Sequence, residues 1–159
     1  MTIGVVGGGS RMDENVERLA YDIGRQIAVN NANLVCGGLG GVMEAASRGA
    51  AEAGGTVIGL LPTDDRTHAN PYVTVAVPTG MGIARNVLVV RTADVLIALP
   101  GSYGTLSEMA LALNMGKPVV YMPGAWDLSR IGKVDRALFK EADNAQHAIG
   151  VALGMVARV

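Results

Sequence analysis

An α/β domain with a doubly wound, mainly parallel sheet and helices on both faces is predicted by three observations. Short apolar runs alternate with helix-like stretches, the runs are continuous rather than alternately polar, and three Gly-rich turns follow directly on expected strands. Continuous hydrophobicity marks strands buried on both faces, as right-handed βαβ crossovers produce. At 159 residues the chain has the length of one domain, and residues 1–159 are read as one Rossmann-like unit.

Strands are expected over 3–6, 34–36, 57–61, 73–75, 95–99 and 119–122, where Val, Ile and Leu cluster. Helices are expected over 14–30, 41–53, 81–93 and 105–115. The third of these follows Thr79, a candidate cap. The stretch 62–70 carries Pro62, Asp64-Asp65 and Asn70-Pro71, turn signals that predict a mobile loop. Beyond Met122 the pattern weakens, until Asp143-Asn144-Ala145-Gln146 resembles a capping box that opens a last helix to about residue 157.

Composition narrows the function. Half of the residues are hydrophobic and 17% are charged, yet Arg91 and Asp94 break the richest apolar stretch, so no membrane span is expected. No basic and apolar leader opens the chain, which predicts a cytoplasmic protein. One cysteine and two scattered histidines predict no disulfide and no metal site. A net charge of -1 with six aromatic residues argues against nucleic-acid polymers as partners but leaves free nucleotides open.

The three turns are Gly7-Gly8-Gly9-Ser10, Gly37-Gly38-Leu39-Gly40-Gly41 and Pro100-Gly101-Ser102-Tyr103-Gly104-Thr105. In a parallel sheet all three emerge at the carboxyl edge, where a crevice opens at the reversal of strand order. Glycines allow close backbone approach, and the helix starts behind them offer unpaired N–H groups to an anion. Gly8, Gly9, Ser10, Gly37, Gly38, Gly40, Gly41 and Gly101 through Thr105 are therefore the expected phosphate contacts. None of the turns has the dinucleotide or P-loop spacing.

Glu108 is open to two readings. Thr105-Leu106-Ser107-Glu108 fits a capping box, in which Glu108 reaches back to the Thr105 N–H; alternatively Glu108 presents a carboxylate to the ligand. Arg85, in an apolar stretch, is either a solvated surface residue or a planar donor for phosphate or sugar hydroxyls. Glu44, at the start of the second helix, either complements the helix dipole or meets the ligand.

The run from Pro100 to Glu108 resembles the P-G-G-x-G-T-x-x-E signature of the LONELY GUY phosphoribohydrolases, also labelled lysine decarboxylases. The second Gly turn with Val42-Met43-Glu44-Ala45, Asn70-Pro71-Tyr72, Thr79-Gly80-Met81 and Ala84-Arg85-Asn86 is similar to the related molybdenum cofactor carrier proteins. The resemblance implies a Rossmann-like fold, a homodimer, and a bound nucleoside monophosphate or molybdenum cofactor. For the hydrolase activity, which frees a base from a nucleoside 5′-monophosphate, it implies Arg85 and Glu108 as catalytic residues. Ser102 and Ser107 depart from that signature, Asn86 replaces a lysine, and the second Gly turn is one residue shorter. These departures favour binding over turnover. Pyridoxal chemistry needs a Schiff-base lysine near the Gly turns, whereas Lys117 stands at the opposite sheet edge. Three functions are thus carried forward: a carrier-like binder of a phosphorylated small molecule, a phosphoribohydrolase, and a non-catalytic partner-binding domain. Apolar residues that wrap around the helices of 81–93 and 105–115 independently predict self-association.

Overall fold

The computed structural model describes residues 1–10, 12–130 and 134–157. Seven strands form one sheet among these residues: β1 (Thr2–Val6), β2 (Asn33–Cys36), β3 (Val57–Leu61), β4 (Val75–Pro78), β5 (Val95–Ala98), β6 (Val119–Tyr121) and β7 (Phe139–Glu141). The order is β4-β3-β2-β1-β5-β6-β7, and every pairing is parallel. The chain winds outward from β1 to β4, then returns to β5 on the other side of β1. The reversal of strand order therefore lies between β1 and β5, as a doubly wound sheet requires.

Among the described residues, five α-helices cover the two faces: α1 (Glu14–Val29), α2 (Val42–Glu52), α3 (Asn86–Thr92), α4 (Tyr103–Asn114) and α5 (Ala145–Val156). Alternate residues of each central strand serve opposite cores. Ile3, Val5, Leu34, Cys36, Val95 and Ile97 pack under α1, α2 and α5. Val6, Val35, Leu96 and Ala98 pack with Val89, Val90, Met109 and Ala112 of α3 and α4. This is why the strand sequences are continuously apolar. The backbones of α1 and α2 nearly touch: a Cβ on Gly24 would lie 1.9 Å from the Ala46 carbonyl oxygen, and one on Gly49 would lie 2.0 Å from that of Tyr21.

Several boundaries differ from the sequence reading. The expected strand over 73–75 begins only at Val75: the Thr74 N–H and hydroxyl both donate to the Val57 carbonyl, but the Val57 N–H donates to the Thr74 hydroxyl rather than to a backbone carbonyl. The expected helix over 81–93 is a 3-10 turn, Gly82–Arg85, followed by α3. Thr79 caps neither piece as expected, since its hydroxyl donates to the Leu61 carbonyl at 2.7 Å and accepts from the Met81 N–H. α4 opens two residues before Thr105, with Ser102 in the cap position. Asn144 rather than Asp143 caps α5, accepting from the His147 N–H at 2.9 Å, while Asp143 turns to the His147 ring.

The segment 62–70 carries a 3-10 turn, Arg66–His68, and its far end is tied down by Asn70, whose N–H donates to the Gly38 carbonyl at 2.8 Å. Lys117 precedes β6 at the amino edge and donates to the Arg91 and Ala93 carbonyls, which leaves it no part in a site at the carboxyl edge. Of the two other lysines of the chain, Lys140 lies on β7 and Lys133 lies outside the described residues. Among them, no helix is long and apolar enough to cross a membrane.

Candidate functional site

The three Gly turns leave the carboxyl ends of β1, β2 and β5 and interlock. The Gly8 N–H donates to the Pro100 carbonyl and the Val42 N–H donates to the Gly8 carbonyl, each at 2.9 Å. This crossing requires glycine at two positions. Gly41 has φ +67° and no room for a side chain, since a Cβ would lie 2.3 Å from the Gly8 oxygen. A Cβ on Gly101 would lie 2.1 Å from the buried Thr105 hydroxyl. Gly8, Gly41 and Gly101 thus build the cradle, and Gly38, with φ +73°, backs onto Leu61 and Gly59.

A cavity of about 320 Å³ opens inside this frame. Gly7 and Gly9 line it from the first turn, Gly37 from the second, and Ser102, Gly104 and Thr105 from the third. Arg85, Asn86, Glu108 and Met43 complete its walls, and Pro62, Gly82 and Ile83 also border it. No side chain caps α4, so the N–H groups of its first turn, at Gly104 and Thr105, stand beside the cavity with the positive end of the helix dipole. Tyr103, expected among the phosphate contacts, is instead 80% exposed outside this lining. Its ring stacks on Trp126 at a centroid distance of 6.3 Å, and the Trp126 indole N–H donates to the Gly101 and Ser102 carbonyls. Gly8, Ser10, Gly38, Gly40, Gly41 and Gly101 likewise do not line this cavity.

Arg85 is only 8% exposed, which removes the surface reading. Its Nη1 donates to the Asn86 Oδ1 and stands 3.8 Å from the Glu108 Oε1, and its Nη2 donates to the Gly37 carbonyl at 3.4 Å. Gly37 lets the guanidinium through, because a Cβ there would lie 2.2 Å from Nη2. The remaining donor, Nε, is buried with no hydrogen-bond partner. Burial lowers the Arg85 pKa and the Glu108 charge opposes that shift; an arginine starting so high stays charged.

Glu108 is 6% exposed and does not close a capping box, since α4 begins at Tyr103 and Glu108 faces Arg85 from its second turn. Burial pushes its carboxyl up to about 7 against the downward pull of Arg85. The floor of the cavity thus pairs a fixed cation with a group able to hold or release a proton near neutrality. Sequence reasoning located both residues but not Asn86, which it had taken only as a departure from the hydrolase pattern. Asn86 is itself 8% exposed and holds the guanidinium in place. An Arg-Asn pair at a helix start was the signal available in the sequence.

A larger hollow, about 890 Å³, lies between β7 and α5 around Leu138, Val151 and Met155. None of the residues lining it brings a buried polar or charged side chain, and it is remote from the Gly turns.

Fold and site together define a Rossmann-like α/β protein with a Gly-framed cavity at the switch point of its sheet and an Arg–Glu pair in the cavity floor. The chain belongs to the SLOG cluster4 family, whose family model matches residues 1–155. It is 46% identical over 119 residues to an uncharacterized protein of Archaeoglobus fulgidus, covering 75% of this chain and 78% of that one. It is 36% identical over 94 residues to the cytokinin riboside 5'-monophosphate phosphoribohydrolase LOG5 of Arabidopsis thaliana; the match covers 57% of this chain and 41% of that enzyme.

Among solved structures, the molybdenum cofactor binding protein from Rippkaea orientalis superposes with TM-score 0.89 at 35% identity, over 98% of this chain and 96% of that one. The molybdenum cofactor carrier protein of Chlamydomonas reinhardtii gives TM-score 0.86 at 35% identity, over 98% of both chains. DNA processing protein A of Helicobacter pylori shares the fold alone, at 22% identity and TM-score 0.70 over 97% of this chain and 80% of that one.

Proposed function

We propose that this protein binds and carries a phosphate-bearing small molecule, nucleotide-like or pterin-like, in the Gly-framed cavity, as its likeness to molybdenum cofactor binding and carrier proteins suggests. The observation that carries this reading is Arg85: a buried guanidinium at the cavity with one donor, Nε, left without a partner. An unpaired buried donor costs about 1 to 3 kcal/mol, and more when charged; an anion beside the guanidinium would compensate the buried charge. A phosphate fits the chemistry of this wall. Backbone N–H groups of the third turn and the α4 dipole would take its oxygens, and Arg85 would supply the compensating charge. For a pterin cargo the same groups would hold the phosphate tail. Calorimetry with ribose 5-phosphate, nucleoside monophosphates and a phosphorylated pterin tests the reading: saturable binding that Arg85→Ala removes supports it, and no binding of any of them rejects it.

Glu108 supports a second reading, hydrolysis of the N-glycosidic bond of a nucleoside 5′-monophosphate. A carboxylate beside the phosphate site, ionised as pH rises above about 7, would stabilise oxocarbenium-like charge at the ribose while Arg85 orients the phosphoribosyl group. Release of free base from bound AMP separates the enzyme from the carrier.

The same reading includes self-association. Ile83 is 77% exposed and Val87 37%, and half-buried Leu106 and Leu111 extend this apolar surface along α4. A two-fold contact through the 3-10 turn, α3 and α4 would cover them beside the cavity. Val89, one of the apolar residues of the helix read over 81–93, is fully buried in the core of its own chain and takes no part in this surface.

A further inference from the structure

A second cavity, of about 480 Å³, lies across Gly9 from the first, so that Gly9 lines both. Ser10, Gly41, Glu44, Glu17 and Arg48 line it. Its charges are unevenly used. Arg48 pairs with Glu17 at 3.2 Å and lies 5.3 Å from the centroid of the Tyr21 ring, which neutralises one carboxylate. Glu44 has no hydrogen bond or ion pair among the described residues. It is the third residue of α2, where a carboxylate would normally complete a capping box, but the cap position is Gly41, whose lack of a side chain leaves nothing to reciprocate. The Glu44 Oε2 folds back over the second Gly turn, 3.8 Å from where a Cβ on Gly40 would stand.

Resting on the reading of the first cavity as a phosphate site, we propose that the two cavities form one groove and that Glu44 recognises the heterocycle of the ligand. The class is a phosphorylated ring whose edge presents two adjacent N–H donors, as the N1–H and 2-amino group of guanine or the N3–H and 2-amino group of a 2-amino-4-oxopterin do. A carboxylate accepts both donors side by side, and the paired, charge-assisted bonds discriminate against a ring that lacks them. Adenine offers a ring-nitrogen acceptor in that place and leaves Glu44 unsatisfied. Arg85, buried with an unpartnered Nε, anchors the phosphate at one end of the groove, and the free Glu44 carboxylate reads the ring at the other. The volume of the second cavity lies within the range of small-molecule sites, roughly 300 to 1,000 Å³.

The test measures binding of GMP, AMP, ribose 5-phosphate and 6-hydroxymethylpterin phosphate by calorimetry, to the parent protein and to Glu44→Gln, with thermal melting to confirm that the variant is folded. GMP, the pterin phosphate or both should bind at least about tenfold more tightly than AMP, and whichever leads tells the two ring sources apart. Glu44→Gln should remove that advantage and leave ribose 5-phosphate within about twofold, because the phosphate end is untouched. Ribose 5-phosphate binding without any preference among the rings, or a preference that survives Glu44→Gln, overturns the assignment of Glu44 and spares the phosphate site. Failure of all four compounds to bind overturns both.

Discussion

The Gly-framed cavity and the hollow between β7 and α5 differ in the opposite sense to what size suggests. The hollow is the larger, about 890 Å³ against 320 Å³, but the polar side chains at its edges, Arg136, Lys140 and His147, are exposed to water. The smaller cavity holds Arg85, Asn86 and Glu108, each at most 8% exposed. Burying such groups is costly, and a fold that retains them at one sheet edge has used stability on something other than stability. The comparison teaches that desolvated polar groups, not volume, mark the site.

The comparison breaks most sharply at Arg85. Arg85→Ala should weaken binding of ribose 5-phosphate about a hundredfold, whereas Lys140→Ala beside the larger hollow should leave it unchanged. Arg85→Lys, which keeps the charge without the planar fork, should recover only part of the loss. Equal effects of Arg85→Ala and Lys140→Ala in titrations would erase the distinction between the two regions.

The Glu108 carboxyl, raised from 4.5 to about 7 by burial, links the same cavity to pH. A carboxyl whose folded pKa exceeds its unfolded value favours the folded state below pH 4.5, and that contribution is lost as pH rises through about 7. Stability attributable to Glu108 should therefore fall between roughly pH 4.5 and 7, by on the order of 3 kcal/mol if the full shift is expressed. Urea melts across this range should show the fall in the parent and a flatter profile in Glu108→Gln; the same slope in both would move the linkage elsewhere.

Two glycines of one turn sharpen the division between frame and surface. Gly101→Val should cost several kcal/mol of stability, because its side chain must displace the buried Thr105 hydroxyl. A Cβ on Gly104 meets nothing closer than 3.9 Å, so Gly104→Val should fold yet bind phosphate about tenfold more weakly by crowding the anion. A Gly104→Val protein that binds as well as its parent would take this backbone out of the site. The smallest effect concerns assembly: Leu111→Lys should dissociate the proposed dimer while changing the melting of each chain little, with light scattering as the readout.

Much of this was legible in the sequence because burial on both faces writes itself as uninterrupted Val, Ile and Leu. β7 was not: its three residues, Phe139-Lys140-Glu141, bear two exposed charges, and an edge strand has one neighbour and little apolar demand. The three turns were readable from their glycines, but which of them touch the cavity was not. Gly41 and Gly101 are needed to let chains cross, a tertiary requirement that looks the same in sequence as a phosphate contact. Glu108 was ambiguous for a related reason. Thr105 and Glu108 have capping-box spacing, and only the start of α4 two residues earlier turns the pair inward and frees the carboxylate for Arg85. Val89 shows the reverse error: apolar residues all around a helix do not say which of them face the sheet, and Val89 and Val90 pack into the core.

The central claim is that buried Arg85, held by Asn86 and Gly37 with only its Nε unpartnered, marks a phosphate site. Thermal unfolding of the parent and of Arg85→Lys, with ribose 5-phosphate titrated upward, tests it most directly. Parent stability should climb with ligand, reaching about 2.7 kcal/mol at one hundred times the Kd, and Arg85→Lys should need far more ligand for the same gain. A parent protein whose unfolding is indifferent to ribose 5-phosphate, or a gain identical in the two proteins, would contradict the account.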